Sequence, residues 1–174
     1  MSSNIIYIGC DSSGYEAKTI VLDYLAERGY TCVDCGSGAE NSRYPYYAAK
    51  VASAVAADPN AKGILICATG VGMAIAANKF KGVRAALISD AYTARITRRH
   101  NNSNVLCLAG KMLGRWMLNR IVEVWLTTEY DGGHHQPSLD LISQMEECMF
   151  NGNVWCPEDV PYEHPFSWNP NQTI

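Results

Sequence analysis

Residues 63–79 carry the most informative pattern in this chain: Gly63-Ile64-Leu65-Ile66-Cys67-Ala68-Thr69-Gly70-Val71-Gly72-Met73-Ala74-Ile75-Ala76-Ala77-Asn78-Lys79. The segment begins as an apolar run of strand length, continues through a Thr-Gly-x-Gly turn and ends with helical composition, which predicts a strand, a loop and a helix. Cys67 then ends a buried strand directly before a helix amino terminus. Unpaired backbone N–H groups at that terminus favour negative charge, so they favour a thiolate and can hold an anion or a developing oxyanion.

Two interpretations of Cys67 are open. A reactive thiol beside an anion hole is a catalytic arrangement, whereas a small buried hydrophobic residue at the end of a strand has no chemical role. The glycines that follow Cys67 favour the catalytic interpretation.

Strand and helix patterns alternate on both sides of this segment. Strands are predicted near 4–10, 31–35, 62–67, 83–88 and 104–108, with a first helix that ends near 28 and further helices near 45–57, 71–80, 90–99, 114–127 and 137–149. Ser13 and Glu16 have the spacing of a capping box for the first helix. Strict alternation predicts a doubly wound, Rossmann-like α/β domain, which is a three-layer αβα sandwich with a five-stranded parallel sheet.

Ligands in such folds bind at the carboxyl ends of the strands. The predicted loops at that edge carry the polar residues Asp11, Ser12, the run 67–72, Ser89 and Asp90. We expect these groups to converge on one edge of the sheet.

Length and composition indicate one domain followed by a tail. The chain has 174 residues, of which 48% are hydrophobic, enough for one well-packed core and too few for two ordinary domains. We therefore expect a domain at 1–150, which ends with the C-terminal helix, and an arm at 151–174. Four of the seven prolines lie in 157–174. So much proline disfavours a helix, and the aromatic residues among them favour an extended arm laid over a surface.

Charge and cysteine content exclude several classes of protein. The formal net charge of −3 gives no electrostatic footprint for nucleic acid or an anionic membrane. The sequence has no apolar run of about 20 residues and no signal-peptide pattern at its start. Seven scattered cysteines indicate reduced thiols, and Cys32 and Cys35 are expected on opposite faces of one short strand. These features predict a soluble, cytoplasmic protein with no nucleic-acid or membrane partner.

Several spaced motifs resemble one known family. They are Gly9-Cys10-Asp11 with Ser13-Gly14-Tyr15, Arg43-Tyr44-Pro45, Cys67-Ala68-Thr69-Gly70-Val71-Gly72 with Asn78-Lys79, Gly82-Val83-Arg84-Ala85, His100-Asn101 with Asn104-Val105, and Gly132-Gly133-His134-His135-Gln136. In order and spacing the chain resembles ribose-5-phosphate isomerase type B and its galactose-6-phosphate isomerase relatives, from about residue 5 to 147. The resemblance implies an aldose–ketose isomerase that works through an enediolate, without a metal or organic cofactor.

The resemblance also implies catalytic roles. Cys67 is the base, Thr69 helps to set that base, and His100 opens the sugar ring. Backbone N–H groups of the cysteine loop hold the enediolate oxygen. The loop residues concerned are Ala68, Gly70, Val71 and Gly72.

Further residues are implied to bind the substrate. Asp11 and Asn101 hold sugar hydroxyls, and Tyr44 lines the pocket. Sites in this family join two subunits, with the His100 segment facing the cysteine loop of the other chain. The resemblance therefore implies a homodimer, or a tetramer built from two dimers.

Four positions depart from the family pattern at the phosphate end of the site. Where the family has one histidine and three arginines, this chain has Ser12, Lys111, His134 and Ser138. A charged hydrogen bond contributes about 1.5–3 kcal/mol, so these changes weaken the grip on a phosphate. Ribose 5-phosphate is the default substrate, and a different or unphosphorylated sugar is the first alternative. The second alternative is a non-catalytic sugar-binding relative.

Overall fold

Five parallel strands form the sheet in the computed structural model, which describes residues 5–38 and 42–153. The strands are β1 (Ile6–Cys10), β2 (Cys32–Asp34), β3 (Lys62–Cys67), β4 (Ala85–Leu87) and β5 (Val105–Ala109). Their order is β2-β1-β3-β5-β4, and every neighbouring pair is parallel. The order reverses between β1 and β3, so the predicted doubly wound topology is confirmed.

Helices cover both faces of this sheet. They are α1 (Tyr15–Glu27), α2 (Tyr44–Ala57), α3 (Val71–Ala77), α4 (Ala91–Asn101), α5 (Arg115–Thr127) and α6 (Gln136–Phe150). Ile64 and Ile66 of β3 lie in a core with buried residues of α1, α4 and α5, whereas Leu65 and Cys67 lie in a second core with α2 and α3. Alternate side chains of one strand thus serve opposite faces, which confirms the three-layer sandwich.

The start of α1 differs from the prediction. The Oδ1 of Asp11 accepts the N–H groups of Ser13 at 3.0 Å and Gly14 at 3.1 Å, and the Ser13 hydroxyl also donates to it. A short 3₁₀ turn, Ser12–Gly14, therefore precedes the helix, and no side chain caps α1 at Gly14. The predicted capping box of Ser13 and Glu16 is wrong because the Asp11 carboxylate, which accepts both N–H groups, caps the turn.

Two other elements, α3 and β4, are shorter than predicted. Helix α3 ends at Ala77, because the Asn78 side chain bonds the backbone of Ala85 in both directions at 2.9 Å. This contact ties the end of α3 to the edge strand β4, which spans 85–87 instead of 83–88.

Cys32 and Cys35 lie on opposite faces of the sheet, as predicted. Cys32 packs against the core that contains α1 and α5, and Cys35 packs against the core that contains α2 and α3. Six cysteines of the described residues are free thiols.

The C-terminal helix α6 is present and ends at Phe150. The predicted arm lies outside the described residues beyond Asn153, and the domain boundary at residue 150 stays a prediction. Among the helices of the described residues, none is long and apolar enough to cross a membrane.

Candidate active site

Cys67 is the last residue of β3, and its thiol faces the loop that leads to α3. Only 5% of the residue is exposed, and the backbone N–H of Gly70 donates to its Sγ at 3.1 Å. Gly70 can do this because it adopts a left-handed conformation with φ of 75°. A second loop, at the end of β5, is tied to this one, since the Gly110 N–H donates to the Cys67 carbonyl oxygen at 2.8 Å. The Cys67 sulfur is therefore held against a backbone N–H donor just before α3.

The other buried thiols of the described residues have surroundings that favour the neutral form. Cys107 is fully buried, and burial, followed by the nearby Cys67, raises the pKa of its thiol. Burial also raises the pKa of Cys10, whose Sγ donates to the Ser37 carbonyl oxygen at 3.7 Å. Donation requires that the Cys10 thiol keep its proton. Of these three cysteines, Cys67 is the one whose sulfur accepts a hydrogen bond.

Three more predicted residues lie on the edge of the sheet that carries Cys67. Asp11 and Ser12 follow β1, which is the strand next to β3 at the reversal of strand order. Tyr44 begins α2, and its ring packs on the cysteine loop: a Cβ added at Gly72 would lie 2.9 Å from the Tyr44 Cε2. Together with Cys67, these groups define the region that we call the cysteine cleft, at the carboxyl edge of the sheet where ligands of this fold bind.

Two more predicted residues, Thr69 and Lys111, lie on or beside the cysteine loop. Thr69 is exposed, and its Oγ1 accepts the Val71 N–H at 3.4 Å. Lys111 follows β5, and its backbone N–H donates to the Ala68 carbonyl oxygen at 3.1 Å. The exposed Lys111 side chain thus starts beside the cysteine loop.

Two other predicted residues, His100 and Asn101, lie at the opposite edge of the sheet. They end α4, which starts after β4 at the carboxyl edge and runs back along the sheet for 11 residues. At about 1.5 Å per residue, that helix spans roughly 16 Å. The chain resumes in β5, whose first residue pairs with the first half of β3. His100 is therefore too far from Cys67 of its own chain to share a substrate with it.

Three histidines, His100, His134 and His135, form a cluster at the end of α4. The rings of His100 and His135 are stacked, with centroids 4.0 Å apart and planes 20° apart. The ring of His134 lies 3.9 Å from that of His135. Ser138, in the first turn of α6, is exposed on the segment that carries these two histidines. The predicted phosphate residues are thus divided, with Ser12 and Lys111 at one edge and His134 and Ser138 at the other.

An ion pair flanks the histidines. The Arg99 guanidinium binds Asp131 with contacts of 3.1 and 2.8 Å, and the hydrogen bond and charge of Arg99 hold the Asp131 pKa below its usual range. Burial lowers the pKa of His135, and the neighbouring His100 and His134 lower it further. His135 therefore stays neutral to a lower pH than an ordinary histidine, and its ring lies against that of His100.

The cluster does not fit a preformed metal site. One donor atom each from His100, Asp131 and His135 lie within 4.8 Å of one another. A tetrahedral zinc site, with bonds of about 2.0–2.1 Å, needs donor atoms roughly 3.4 Å apart. The lone pairs of the two stacked imidazoles also lie in nearly parallel ring planes, with centroids 4.0 Å apart, which is unfavourable for convergence on one ion. The stacking fits proton handling better than metal binding.

A separate cavity of 490 Å³ lies between α6, β4 and the end of α4. Its apolar wall is formed by Ile142, Met145, Met149 and Phe150, and Asn101 also lines it, but Cys67 does not. The cavity is therefore separate from the cysteine cleft, and none of the three histidines is among its lining residues.

His135, Asp131 and Arg99 had no role in the prediction from sequence. His135 stands in the motif Gly132-Gly133-His134-His135-Gln136, and this position was the one available signal. Asp131 and Arg99 lie on segments that are distant in sequence, and the backbone N–H of Asp131 donates to the Arg99 carbonyl oxygen at 3.0 Å.

Comparison with known proteins identifies relatives over most of the chain. A family model described as Ribose/Galactose Isomerase matches residues 6–142. Ribose-5-phosphate isomerase B of Escherichia coli (strain K12) is 43% identical over 143 residues, which are 82% of this chain and 96% of the relative. D-erythrulose-4-phosphate isomerase of Pectobacterium atrosepticum is 37% identical over 143 residues, 81% of this chain and 94% of the relative.

One solved structure of similar fold contains a sugar phosphate. It is ribose-5-phosphate isomerase B from Mycoplasma genitalium with bound ribulose 5-phosphate, and the TM-score is 0.79 at 38% identity. The match covers 82% of this chain and 96% of that one.

Proposed function

This chain belongs to the ribose/galactose isomerase family, and we propose that it interconverts ribose 5-phosphate and ribulose 5-phosphate with Cys67 as its base. Like the relatives in this family, it is an aldose–ketose isomerase. The observation that carries the proposal is the 3.1 Å hydrogen bond from the Gly70 N–H to the Cys67 sulfur. That bond sets an almost buried thiol beside backbone donors, which is what proton abstraction next to a carbonyl requires.

The proton transfer follows from this geometry. The Cys67 thiolate takes the C2 hydrogen of the open-chain aldose as a proton, and the C–H electron pair forms the C1–C2 double bond. The carbonyl oxygen O1 becomes the enediolate oxygen, which backbone N–H groups of residues 68–72 other than Gly70, the donor to Cys67, stabilise. Return of the proton from Cys67 to C1, with transfer of the O2 proton to O1, gives the ketose. Thr69 and Tyr44 border the path of the substrate.

Asp11 has one carboxylate oxygen available for the sugar. Within the described residues, its Oδ1 takes all the hydrogen bonds that fix the turn after β1, and these bonds orient the carboxylate. The second oxygen can accept a substrate hydroxyl at the cleft. Asn101 would hold another hydroxyl from the opposite half of the site.

The site needs a second subunit, and we propose a homodimer, which two dimers can extend to a tetramer. Ring opening requires a group that passes a proton between the anomeric hydroxyl and the ring oxygen, and His100 is suited to it. The distance between the sheet edges prevents His100 from serving Cys67 of its own chain. His100 of one subunit therefore serves the cysteine cleft of the other, and each dimer has two such sites.

An apolar surface beside the cysteine cleft supports this assembly. The exposed fractions are 46% for Val71, 58% for Ile75, 43% for Leu87 and 59% for Tyr92. These side chains lie on α3 and on the β4–α4 segment that packs beside it. Large apolar residues grouped beside a catalytic cleft favour burial against another subunit.

The phosphate end of the pocket supports a broader choice of substrate than ribose 5-phosphate alone. Lys111 supplies one positive charge at the cysteine edge, and His134 and Ser138 supply no permanent charge at the histidine edge. A different or unphosphorylated sugar is therefore the second candidate substrate. Because Cys67 acts as a reduced thiol, the reducing cytoplasm is the compartment that fits this chemistry.

The test of the proposal is substrate C2 hydrogen exchange in the purified protein. Wild-type protein in D₂O should produce ribulose 5-phosphate from ribose 5-phosphate and exchange the C2 hydrogen. Cys67→Ala should abolish both while ribose 5-phosphate still binds, and Cys107→Ala, at another buried thiol, should keep the exchange. Exchange at the wild-type rate in Cys67→Ala would remove the base assignment.

A further inference from the structure

His135 is the residue of the histidine cluster with the most contacts to its neighbours. Its ring stacks on His100 at 4.0 Å and also meets His134 at 3.9 Å. Its backbone is fixed as well, because its N–H donates to the Gly132 carbonyl oxygen at 3.1 Å.

The loop before His135 is anchored to the end of α4. The Asp131 N–H donates to the Arg99 carbonyl oxygen at 3.0 Å, and the Arg99 guanidinium holds the Asp131 carboxylate. Backbone and side chain of the same two residues thus join the segments that carry His100 and His135. The fold therefore holds the two segments that carry the stacked rings next to each other.

We propose that His135 is a positioning residue that holds the imidazole of His100 in the orientation needed for opening the sugar ring. The ring-opening role of His100 comes from the proposed function, on which this proposal rests. The stack of the two rings is an observation that does not depend on that function. His135 acts through His100 and does not touch the reacting atoms.

The charges around His135 oppose uptake of a proton by its ring. Two charged rings at this separation repel, so the stack holds one proton more easily than two. The groups that face His135 are His100, His134 and Arg99, which oppose its protonation, and Asp131, which favours it. Burial outweighs Asp131 and lowers the His135 pKa, so the His135 ring is suited to stacking and not to carrying the proton.

Two substitutions separate stacking from other roles. His135→Ala removes the ring, whereas His135→Phe keeps a flat ring that can stack but cannot hold a proton. With ribose 5-phosphate, His135→Ala should lower kcat/KM about 10- to 100-fold, mainly through kcat, and His135→Phe should recover most of that loss. Gln136→Ala, an exposed neighbour on the same turn, is the control and should change kcat/KM less than about twofold.

An open-chain substrate isolates the ring-opening step. Erythrose 4-phosphate cannot close a furanose ring because its O4 carries the phosphate. Its turnover should fall no more than about threefold in His135→Ala, since the Cys67 step is untouched. Equal losses on both sugars, or no recovery in His135→Phe, would overturn the positioning role.

Nuclear magnetic resonance tests the stack without any substrate. The His100 Cε1–H signal, assigned with His100→Asn, should show an upfield ring-current shift that disappears in His135→Ala and remains in His135→Phe. An unchanged signal in His135→Ala would overturn the inference. If wild-type protein isomerises neither sugar, the proposed function fails, while these spectra still decide whether His135 holds His100.

Discussion

The Gly70 N–H donates to the Cys67 sulfur at 3.1 Å, and both residues are fixed by the packing beneath the loop. A Cβ at Gly70 would lie 2.5 Å from the Leu87 Cδ1 and 3.0 Å from the backbone carbon of Leu108. Glycine is thus required at this position both by its left-handed φ and by the neighbouring strands. The donor and the base form one unit, which makes the loop conformation part of the catalytic apparatus.

Gly70→Ala should damage catalysis beyond its cost in stability. The added methyl collides with two strands and moves the N–H away from the Cys67 sulfur, so kcat should fall at least about 100-fold, as when one oxyanion donor is lost. Gly82→Ala is the matched control, because Gly82 has a φ of 80° with no atom within 4 Å of the added Cβ. It should lose about 1 kcal/mol of unfolding free energy, measured in urea, with kcat almost unchanged. Similar kcat values for the two variants would contradict the role of the Gly70 N–H.

Restoring positive charge at the histidine edge should favour phosphorylated sugars. His134→Arg with Ser138→Arg should raise kcat/KM for ribose 5-phosphate relative to ribose by about 10-fold or more, because each charged hydrogen bond contributes about 1.5–3 kcal/mol. Lysine at both positions is the control, since it restores charge without the bidentate geometry of arginine. If the wild-type protein already prefers ribose 5-phosphate over ribose as strongly as the arginine variant does, the prediction of weakened phosphate binding is wrong.

The histidine cluster should make the fold less stable at mildly acidic pH. The unfolded chain binds a proton at His135 near its ordinary pKa of 6.5, whereas the folded chain does so only at a lower pH. The unfolded state therefore binds more protons as the pH falls through this window, and the free energy of unfolding decreases.

The measurement is Tm between about pH 7.5 and pH 5, a range in which carboxylates such as Asp131 stay ionised. His135→Phe removes the titrating group, so its Tm should fall less than that of wild-type protein over this range. Parallel losses of Tm in the two proteins would show that His135 is not responsible.

Local sequence patterns were enough to predict the structure around Cys67. The strand, loop and helix around Cys67 follow from one contiguous segment, and the glycines in it are consistent with the conformation that the loop adopts. The first turn was mispredicted because Asp11, Ser13 and Glu16 all offer capping groups, and competition among them depends on the backbone direction after β1.

Long-range contacts explain what the sequence did not reveal. The stack of His100 on His135 depends on how the loop around Asp131 returns to α4. The hydrophobic periodicity of the sequence does not predict the path of that loop. The same applies to Asn78, whose side chain ends α3 by bonding the edge strand at Ala85. The lengths of the edge strands β2 and β4 were overestimated. An edge strand pairs on one side alone, so it can be shorter than its composition indicates.

The central claim is that each site joins the cysteine cleft of one subunit to the histidine cluster of the other. It is tested most directly by mixing two inactive variants, Cys67→Ala and His100→Asn, in equal amounts through joint unfolding and refolding. Random pairing gives hybrids in about half of the dimers, and each hybrid has one intact site of two, so activity should return to about a quarter of the wild-type value. Mixing two portions of the same variant is the control and should restore nothing. Recovery to about a quarter is the result we predict; a mixture that forms hybrids and stays inactive would contradict the shared site.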